Sequence, residues 1–452
     1  MKLPTTGRPR DEMFAQMRRD GEGDVDWRGG RIWSLVYFAG DDVAEVLKEA
    51  YTTFFYTNGL GPTAFPSIRH FEAEVIAMTA ELLGGGEEAT GNMTSGGTES
   101  ILMAIKSARD RALAQRPDMG RPEMVLPITA HPAFEKGAHY FQVKPVHIPI
   151  TDDHRADVDA ARAAMTDSTV LVVGSAPCYP YGTVDPIPEL AALAAERGIC
   201  CHVDACVGGF FLPFMARLGH QVPPWDFSVP GVTSISADLH KYGYSCRGTS
   251  TVMYRDHDVR RRQFFTYADW PGGLYGSPTM AGSRPGGAIA AAWAVLNYLG
   301  EDGYKRLVAG VLETARKLMD GVNAIPQLHV IGRPDMSLFS FTSDDVDIYA
   351  VGDLMDTKGW HLDRQQMPAK LHVVVTPAHA AIADQFLADL REAAAGVASD
   401  GPTPGGRAAM YGMLGTLEDR GQVEKVIGDA LDRMTRLKGD VAATAPDAAK
   451  KS

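Results

Sequence analysis

Between about residue 84 and Tyr254, short apolar β-rich runs alternate with helical patterns, and this alternation limits the possible folds more than any other feature. The runs are residues 124–128, 146–150, 170–174, 199–203, 233–237 and 251–254, with helix-like pieces such as 157–165 and 188–197 between several of them. Strands that are apolar throughout and separated by helices predict a parallel sheet covered on both faces. In such a sheet the ligand lies beyond the carboxyl ends of the strands.

The flanking segments set the organisation. Residues 1–60 read as an N-terminal arm with two glycine-rich stretches and a helical segment at 41–51. A large unit is expected over 61–300, entered by a helix at 72–83 that stops at Gly84-Gly85-Gly86. A smaller α+β unit over 301–441 follows a long helix near 288–298, with strands at 337–341 and 371–375 and helices at 348–358 and 378–395. Residues 399–406 read as a linker, and 442–452 as a disordered tail.

A chain of 452 residues is long enough for more than one packed unit. Its net charge of −12 argues against binding to nucleic acid or to an anionic membrane surface. The five cysteines are odd in number and form no CxxC pair, which predicts neither a disulfide framework nor a metal site and fits a reducing cytoplasm. No apolar run reaches the length that spans a bilayer, so a soluble protein without a stable membrane anchor is expected.

Four features carry chemistry. Ser236-Ala237-Asp238-Leu239-His240-Lys241 follows an apolar strand, so Lys241 emerges where a ligand would sit. An amine there condenses with an aldehyde when its surroundings leave it unprotonated, and Ser236 and His240 are suited to bonding a phosphate. Asp204 ends the run 199–203, which puts a carboxylate at a strand's carboxyl end. It can hold a pyridinium nitrogen protonated, or it can simply cap the following turn. Thr94-Ser95-Gly96-Gly97-Thr98-Glu99-Ser100 precedes a helical run at 101–114, whose stripe is Ile101, Ile105, Ala108 and Ala112. Backbone N–H groups at such a helix start bind phosphate. His131 follows the run 124–128 and suits either stacking on an aromatic cofactor or an interior hydrogen-bonded role.

With these features in this order, the chain resembles the group II pyridoxal-phosphate-dependent decarboxylases, and within them the sphingosine-1-phosphate lyase family. The likeness runs from about Trp33 to about Glu424. It rests on Thr94–Ser100, His202-Val203-Asp204-Ala205-Cys206, His240-Lys241-Tyr242-Gly243-Tyr244, Asp269-Trp270, Ala281-Gly282-Ser283-Arg284-Pro285-Gly286-Gly287 and Tyr411-Gly412-Met413.

The resemblance implies an α/β chain of fold-type I, aspartate-aminotransferase-like, with a central mostly parallel sheet and a smaller α+β C-terminal domain. It implies that Lys241 carries pyridoxal 5'-phosphate as a Schiff base, that Asp204 contacts the pyridine nitrogen and that His131 stacks on the ring. Gly96, Gly97, Thr98, Ser236 and His240 would surround the cofactor phosphate. Family members are homodimers with shared active sites, so Ser283 would reach the partner's cofactor. Tyr37, Asn58, Arg247 and Tyr411 would bind an anionic amine substrate. Asn58 would orient its hydroxyl, with Tyr179, Tyr181 or a cofactor phosphate oxygen relaying the proton.

Two positions depart from the family pattern. Gly61 stands where the family has histidine, and Arg247 stands where it has lysine. The implied reaction is retro-aldol cleavage of the C2–C3 bond of an anionic 2-amino-3-hydroxy compound, with sphingosine 1-phosphate giving a long-chain aldehyde and phosphoethanolamine. The alternatives are an amino-acid decarboxylase, a lyase for a shorter anionic β-hydroxyamine, and a non-catalytic cofactor-binding protein.

Overall fold

The apolar runs assemble into one sheet, in strand order β1 (Thr90–Thr94), β7 (Ser250–Tyr254), β6 (Ser234–Ala237), β5 (Cys200–Asp204), β4 (Thr169–Ser175), β2 (Glu123–Pro127) and β3 (Lys144–Ile148). The computed structural model describes residues 3–400, 407–408, 411, 417 and 419–435. The expected tail at 442–452, and residues 401–406 of the expected linker, lie outside the described residues.

Strands β2 to β6 are parallel, as the alternation predicts, but β7 runs antiparallel to both β6 and β1. Parallel neighbours need a long crossover, commonly a helix. The short return Asp238–Thr249 contains no helix, so the chain can only come back antiparallel. Strand β1, with the sequence TGNMT, has little β-propensity and is not legible in the sequence, yet it is buried along its length. Strand β3 begins two residues before its expected run and is partly exposed, and its Pro145 is tolerated because β3 is an edge strand.

Helices cover the sheet. The expected stripe Ile101, Ile105, Ala108 and Ala112 is buried, on a helix that starts earlier than the apolar pattern, at Gly97–Gln115. A long helical segment, Gly286–Asn323, leads from the large unit to the small one and breaks at Gly300, where φ is +54°. Its second half continues well past the expected 298. The hairpin β8 (Phe265–Tyr267) and β9 (Tyr275–Ser277) stands apart from the main sheet.

The small unit is an antiparallel sheet in the order β10 (His329–Val330), β11 (Leu338–Thr342), β13 (Lys370–Val374), β12 (Asp363–Gln365). Helix Ile348–Thr357 packs against it, and helix Ala383–Asp400 packs on that helix and on the long segment Gly286–Asn323. The N-terminal arm enters this unit rather than running over its surface. The Trp33 N–H donates to the His361 carbonyl at 3.1 Å, and the Val374 N–H donates to the Trp33 carbonyl at 2.8 Å. The Trp33 ring is fully buried, stacked on His379 at 4.0 Å between centroids and close to Phe386 at 4.3 Å.

Trp33→Ala keeps the backbone bonds and empties this slot. Truncating a buried tryptophan costs about 3–5 kcal/mol. Urea unfolding should show a loss in that range, and a loss below about 1 kcal/mol would mean that the arm is not part of the small unit's core.

Candidate active site

A cavity of about 430 Å³ opens at the carboxyl ends of β4, β5 and β6. Ser175, Asp204 and Asp238 reach it from those strand ends, Thr129 and His131 from the loop after β2, and Tyr37 from the arm. Ten of the residues expected at the site line it: Tyr37, Gly96, Gly97, Thr98, His131, Tyr179, Asp204, His240, Lys241 and Arg247.

The floor is a buried carboxylate. Asp204 Oδ1 accepts from the Cys206 N–H at 3.1 Å and from the Ser236 hydroxyl at 3.2 Å. Both bonds fall on Oδ1, which leaves Oδ2 to the cavity. Burial alone would raise the Asp204 carboxyl. Electrostatic interaction with His131, which is charged only at acid pH, the Cys206 bonds and Lys241 outweigh burial and hold it below the usual carboxylate range, so it is an anion at neutral pH.

His131 is pushed down by burial more than Asp204 raises it, so its ring is neutral at neutral pH. The Ala133 N–H donates to His131 Nδ1 at 3.1 Å, which assigns the ring proton to Nε2.

The opposite end of the cavity is an anion cradle. Helix Gly97–Gln115 begins without a side-chain cap, so its first N–H groups are available where the helix dipole is positive. Glu99 fixes this turn by accepting from the Ser95 N–H at 2.7 Å and from the Met280 N–H at 2.9 Å. A Cβ at Gly97 would lie 2.6 Å from Cys206 Sγ and 2.8 Å from Asp238 Oδ2, so this position admits only glycine. His240 Nδ1 is buried without a hydrogen-bond partner, and a Cβ at Gly96 would lie 3.5 Å from the same ring.

Lys241 is held by a residue that sequence reasoning missed. Its Nζ lies 3.0 Å from Asp238 Oδ2, and Asp238 is 2% exposed with Oδ1 unpartnered. Burial pulls the Lys241 ammonium down most strongly. Asp238, Cys206, Tyr37 and Asp204 together push it further up, so the free lysine stays charged. The signal was present in the sequence: a carboxylate three residues before a lysine meets it in a tight turn.

Five of the residues named above for the site do not line this cavity, among them Ser283, which was expected at the partner's cofactor rather than here. Ser236 lies opposite Asp204 in the β5–β6 register, so its side chain shares the carboxylate's face and bonds Asp204 rather than facing a phosphate. Asn58 accepts from the Leu60 and Arg284 N–H groups and donates to Ser283 Oγ at 3.1 Å, so Asn58 and Ser283 pin two loops together and neither lines the cavity. Tyr411 packs on Tyr349 at 5.6 Å between centroids. Tyr181, an expected relay, stacks on His154 at 4.3 Å instead.

These residues fit pyridoxal phosphate. The chain offers an ionised carboxylate for a ring nitrogen, a neutral imidazole for the ring face, a helix start with an unpartnered histidine nitrogen for a phosphate, and a lysine for an aldehyde.

Asp238→Asn removes the ion pair, so Lys241 should titrate lower and hold more neutral amine at neutral pH. Cofactor capture by the apoprotein should then speed up severalfold at fixed pH, read by mass spectrometry of the borohydride-reduced adduct. An unchanged rate would mean that Asp238 does not govern the charge of Lys241.

Comparison with known proteins identifies the family. The model of the pyridoxal-dependent decarboxylase conserved domain matches residues 27–343. The chain is 46% identical over 430 residues to the sphingosine-1-phosphate lyase of Arabidopsis thaliana, covering 93% of this chain and 79% of that one. The solved sphingosine-1-phosphate lyase of Burkholderia pseudomallei is similar at a TM-score of 0.89 and 38% identity, over 97% of this chain and 98% of that one. The glutamate decarboxylase of Lactobacillus brevis shares the fold, with a TM-score of 0.78 at 22% identity over 88% of this chain and 95% of that one. The chain belongs to the pyridoxal-dependent decarboxylase family and, within it, to the sphingosine-1-phosphate lyases.

Proposed function

We propose that this pyridoxal-phosphate-dependent enzyme cleaves the C2–C3 bond of sphingosine 1-phosphate, releasing a long-chain aldehyde and phosphoethanolamine. The observation that carries the reading is the convergence of Lys241, Asp204 and His131 on one cavity whose mouth holds Tyr37 and Arg247.

Bound pyridoxal phosphate supplies an electron sink for the pair left at C2 when the bond breaks. Lys241 would anchor it through its amine. Asp204, kept ionised, would keep the ring nitrogen protonated, and the neutral His131 would pack on the ring. The N–H groups at Gly96, Gly97 and Thr98, with His240, would hold its phosphate.

The substrate's own anion is assigned to Tyr37 and Arg247. Arg247 lies over the Tyr37 ring, 5.9 Å from its centroid. Burial pushes the Tyr37 phenol up to about 12 against the pull of Lys241 and Arg247, so it is a hydrogen-bond donor at neutral pH. A guanidinium binds a phosphate with a planar fork where the family uses a point charge. A Cβ at Gly61 would find its nearest neighbours 3.7 Å and 3.9 Å away, so that position has room for a side chain.

Asn58 and Ser283 sit off the cavity of their own chain, which supports a homodimer in which they complete the partner's site. The exposed Phe265, Tyr267, Trp270 and Leu274 on and beside the β8–β9 hairpin support the same pairing. No helix among the described residues is long and apolar enough to cross a membrane. All five cysteines are free thiols, which supports a cytoplasmic location.

A product survey tests the reading. The holoenzyme given sphingosine 1-phosphate should release aldehyde, and given amino acids it should release no carbon dioxide; the reverse result would make it a decarboxylase. Asp204→Asn should fold and bind cofactor yet turn over about a hundredfold or more slowly, because the charge that stabilises the ring proton is lost. Near-wild-type turnover would reduce Asp204 to a turn cap. Arg247→Ala should lower kcat/KM by about tenfold, with cofactor content unchanged. The variant should also discriminate less between phosphorylated and unphosphorylated sphingosine, and undiminished discrimination would remove Arg247 from the anion site.

A further inference from the structure

The arm makes a sharp bend at the mouth of the cavity, and a leucine stands at its centre. The Val36 N–H donates to the Ser34 carbonyl at 2.7 Å, closing a three-residue turn around Leu35, whose φ is +64°. A turn of this hand is rare and strained, and a left-handed backbone favours glycine or asparagine over leucine. Burial does not offset the strain. Leu35 is 67% exposed, while Trp33 and Ser34 before it are buried. Among the described residues it is the one large apolar side chain that both lines the cavity and stands exposed. Neither backbone preference nor core packing accounts for a leucine here, and strain kept at a cavity mouth points to a ligand contact.

The bend is held from both sides. Before it, the Trp33 ring fills the core of the small unit, and the Ser34 hydroxyl donates to Asp363 Oδ1 at 2.9 Å. The other oxygen of Asp363 accepts from the Tyr179 hydroxyl at 2.9 Å, which ties the arm to the loop after β4. After it, the Tyr37 ring packs edge-on against Tyr242 and carries Arg247 over its face. Relaxing the turn would release one of these contacts, so Leu35 is presented at a fixed point.

The cavity decides what Leu35 meets there. Its walls are set with the charges of Asp204, Asp238, Lys241 and Arg247, and the space of about 430 Å³ must also admit the cofactor. A long alkyl chain has no room inside and must leave through the mouth. Resting on the reaction proposed above, we propose that Leu35 is a chain-length contact, an apolar lip over which the substrate's alkyl chain lies as it leaves the cavity. Such a chain covers apolar surface on itself and on Leu35, whereas a shorter anionic β-hydroxyamine leaves the leucine in water and forgoes that gain. Tyr37 and Arg247 would then read the anion, and Leu35, two residues from Tyr37, would read the chain.

The test measures kcat and KM for 2-amino-3-hydroxyalkyl phosphates running from butyl to the full sphingoid chain, and the binding of the matching 3-deoxy phosphates, which cannot be cleaved. Wild type should favour the long chains. Leu35→Asn and Leu35→Gly both accept the left-handed backbone and remove the apolar surface. Each should cut the long-to-short ratio of kcat/KM by about five- to tenfold, with the loss carried by KM, and the same factor should appear in the 3-deoxy binding ratio. Leu35→Met, apolar and adaptable, should keep most of the discrimination. Because the turn is relieved, the urea midpoints of Leu35→Asn and Leu35→Gly should match or exceed wild type.

An undiminished ratio in these two variants, or a loss in Leu35→Met as large as in Leu35→Asn, would overturn the lip. A lowered urea midpoint, or a smaller particle on sedimentation, would assign Leu35 to packing or to a subunit contact and overturn it too. A wild type that cleaves none of the series refutes the proposed reaction, and the 3-deoxy binding ratio then still decides on Leu35. Cleavage of sphingosine 1-phosphate with the same chain-length ratio in wild type and variants refutes the lip alone.

Discussion

The short return from β6 to β7 is the constraint on which the site depends. It leaves the sheet after Ala237 and re-enters at Ser250, and no helix lies between to make a parallel crossover. Whatever sits on it must stand at the carboxyl edge of the sheet, and Lys241 sits on it. The turn is held from two sides. The Tyr242 hydroxyl lies 2.6 Å from both Ser337 Oγ and the Val375 carbonyl in the small unit, and the Tyr304 hydroxyl donates to the Gly243 carbonyl at 2.8 Å. A Cβ at Gly243 would lie 2.5 Å from the Leu239 carbonyl oxygen, so the tightness of the turn requires glycine. A lysine carried by a clamped turn pre-organises its amine, which a lysine on a loose loop would not.

Balanced charge inside the cavity follows from that placement. Two carboxylates, Asp204 and Asp238, are almost wholly buried, and burying an ion without a partner costs several kcal/mol. Each has its own compensation. Asp204 collects hydrogen bonds from Cys206 and Ser236, and Asp238 takes the Lys241 ammonium. The two roles differ accordingly: Asp204 is kept as an anion facing the cavity, while Asp238 governs the state of the amine beside it.

The far wall comes from distant parts of the chain. Tyr37 belongs to the arm, Tyr179 to the loop after β4, and Asp363 to β12 of the small unit. They meet because Trp33 is locked into the small unit's core and draws the arm across the mouth of the cavity. The edge-on contact between the Tyr37 and Tyr242 rings, 4.9 Å between centroids, joins this wall to the turn that carries Lys241. Stability of the small unit and the shape of the substrate end of the cavity are therefore the same packing problem.

Much of the fold and part of the site were legible in the sequence. Apolar runs with helical spacing between them determine a mostly parallel sheet, because a strand buried on both faces and a helix buried on one have different periods. Lys241, Asp204, His131 and the Gly96–Thr98 turn were readable because each lies at a strand end or helix start, where local sequence alone dictates exposure to a ligand. Only tertiary structure decided the rest. The direction of β7 depended on the absence of a helix in a turn, and β1 is a strand only because β7 pairs with it. Whether Ser236 faces a phosphate or Asp204 was a matter of register between neighbouring strands. Asn58 hydrogen-bonds Ser283 and does not line the cavity that holds Lys241. Tyr179 and Asp363, far apart in the chain, became a hydrogen-bonded pair only when the small unit docked. Periodicity and short motifs record which face of an element is buried, but they do not record which distant element will cover it.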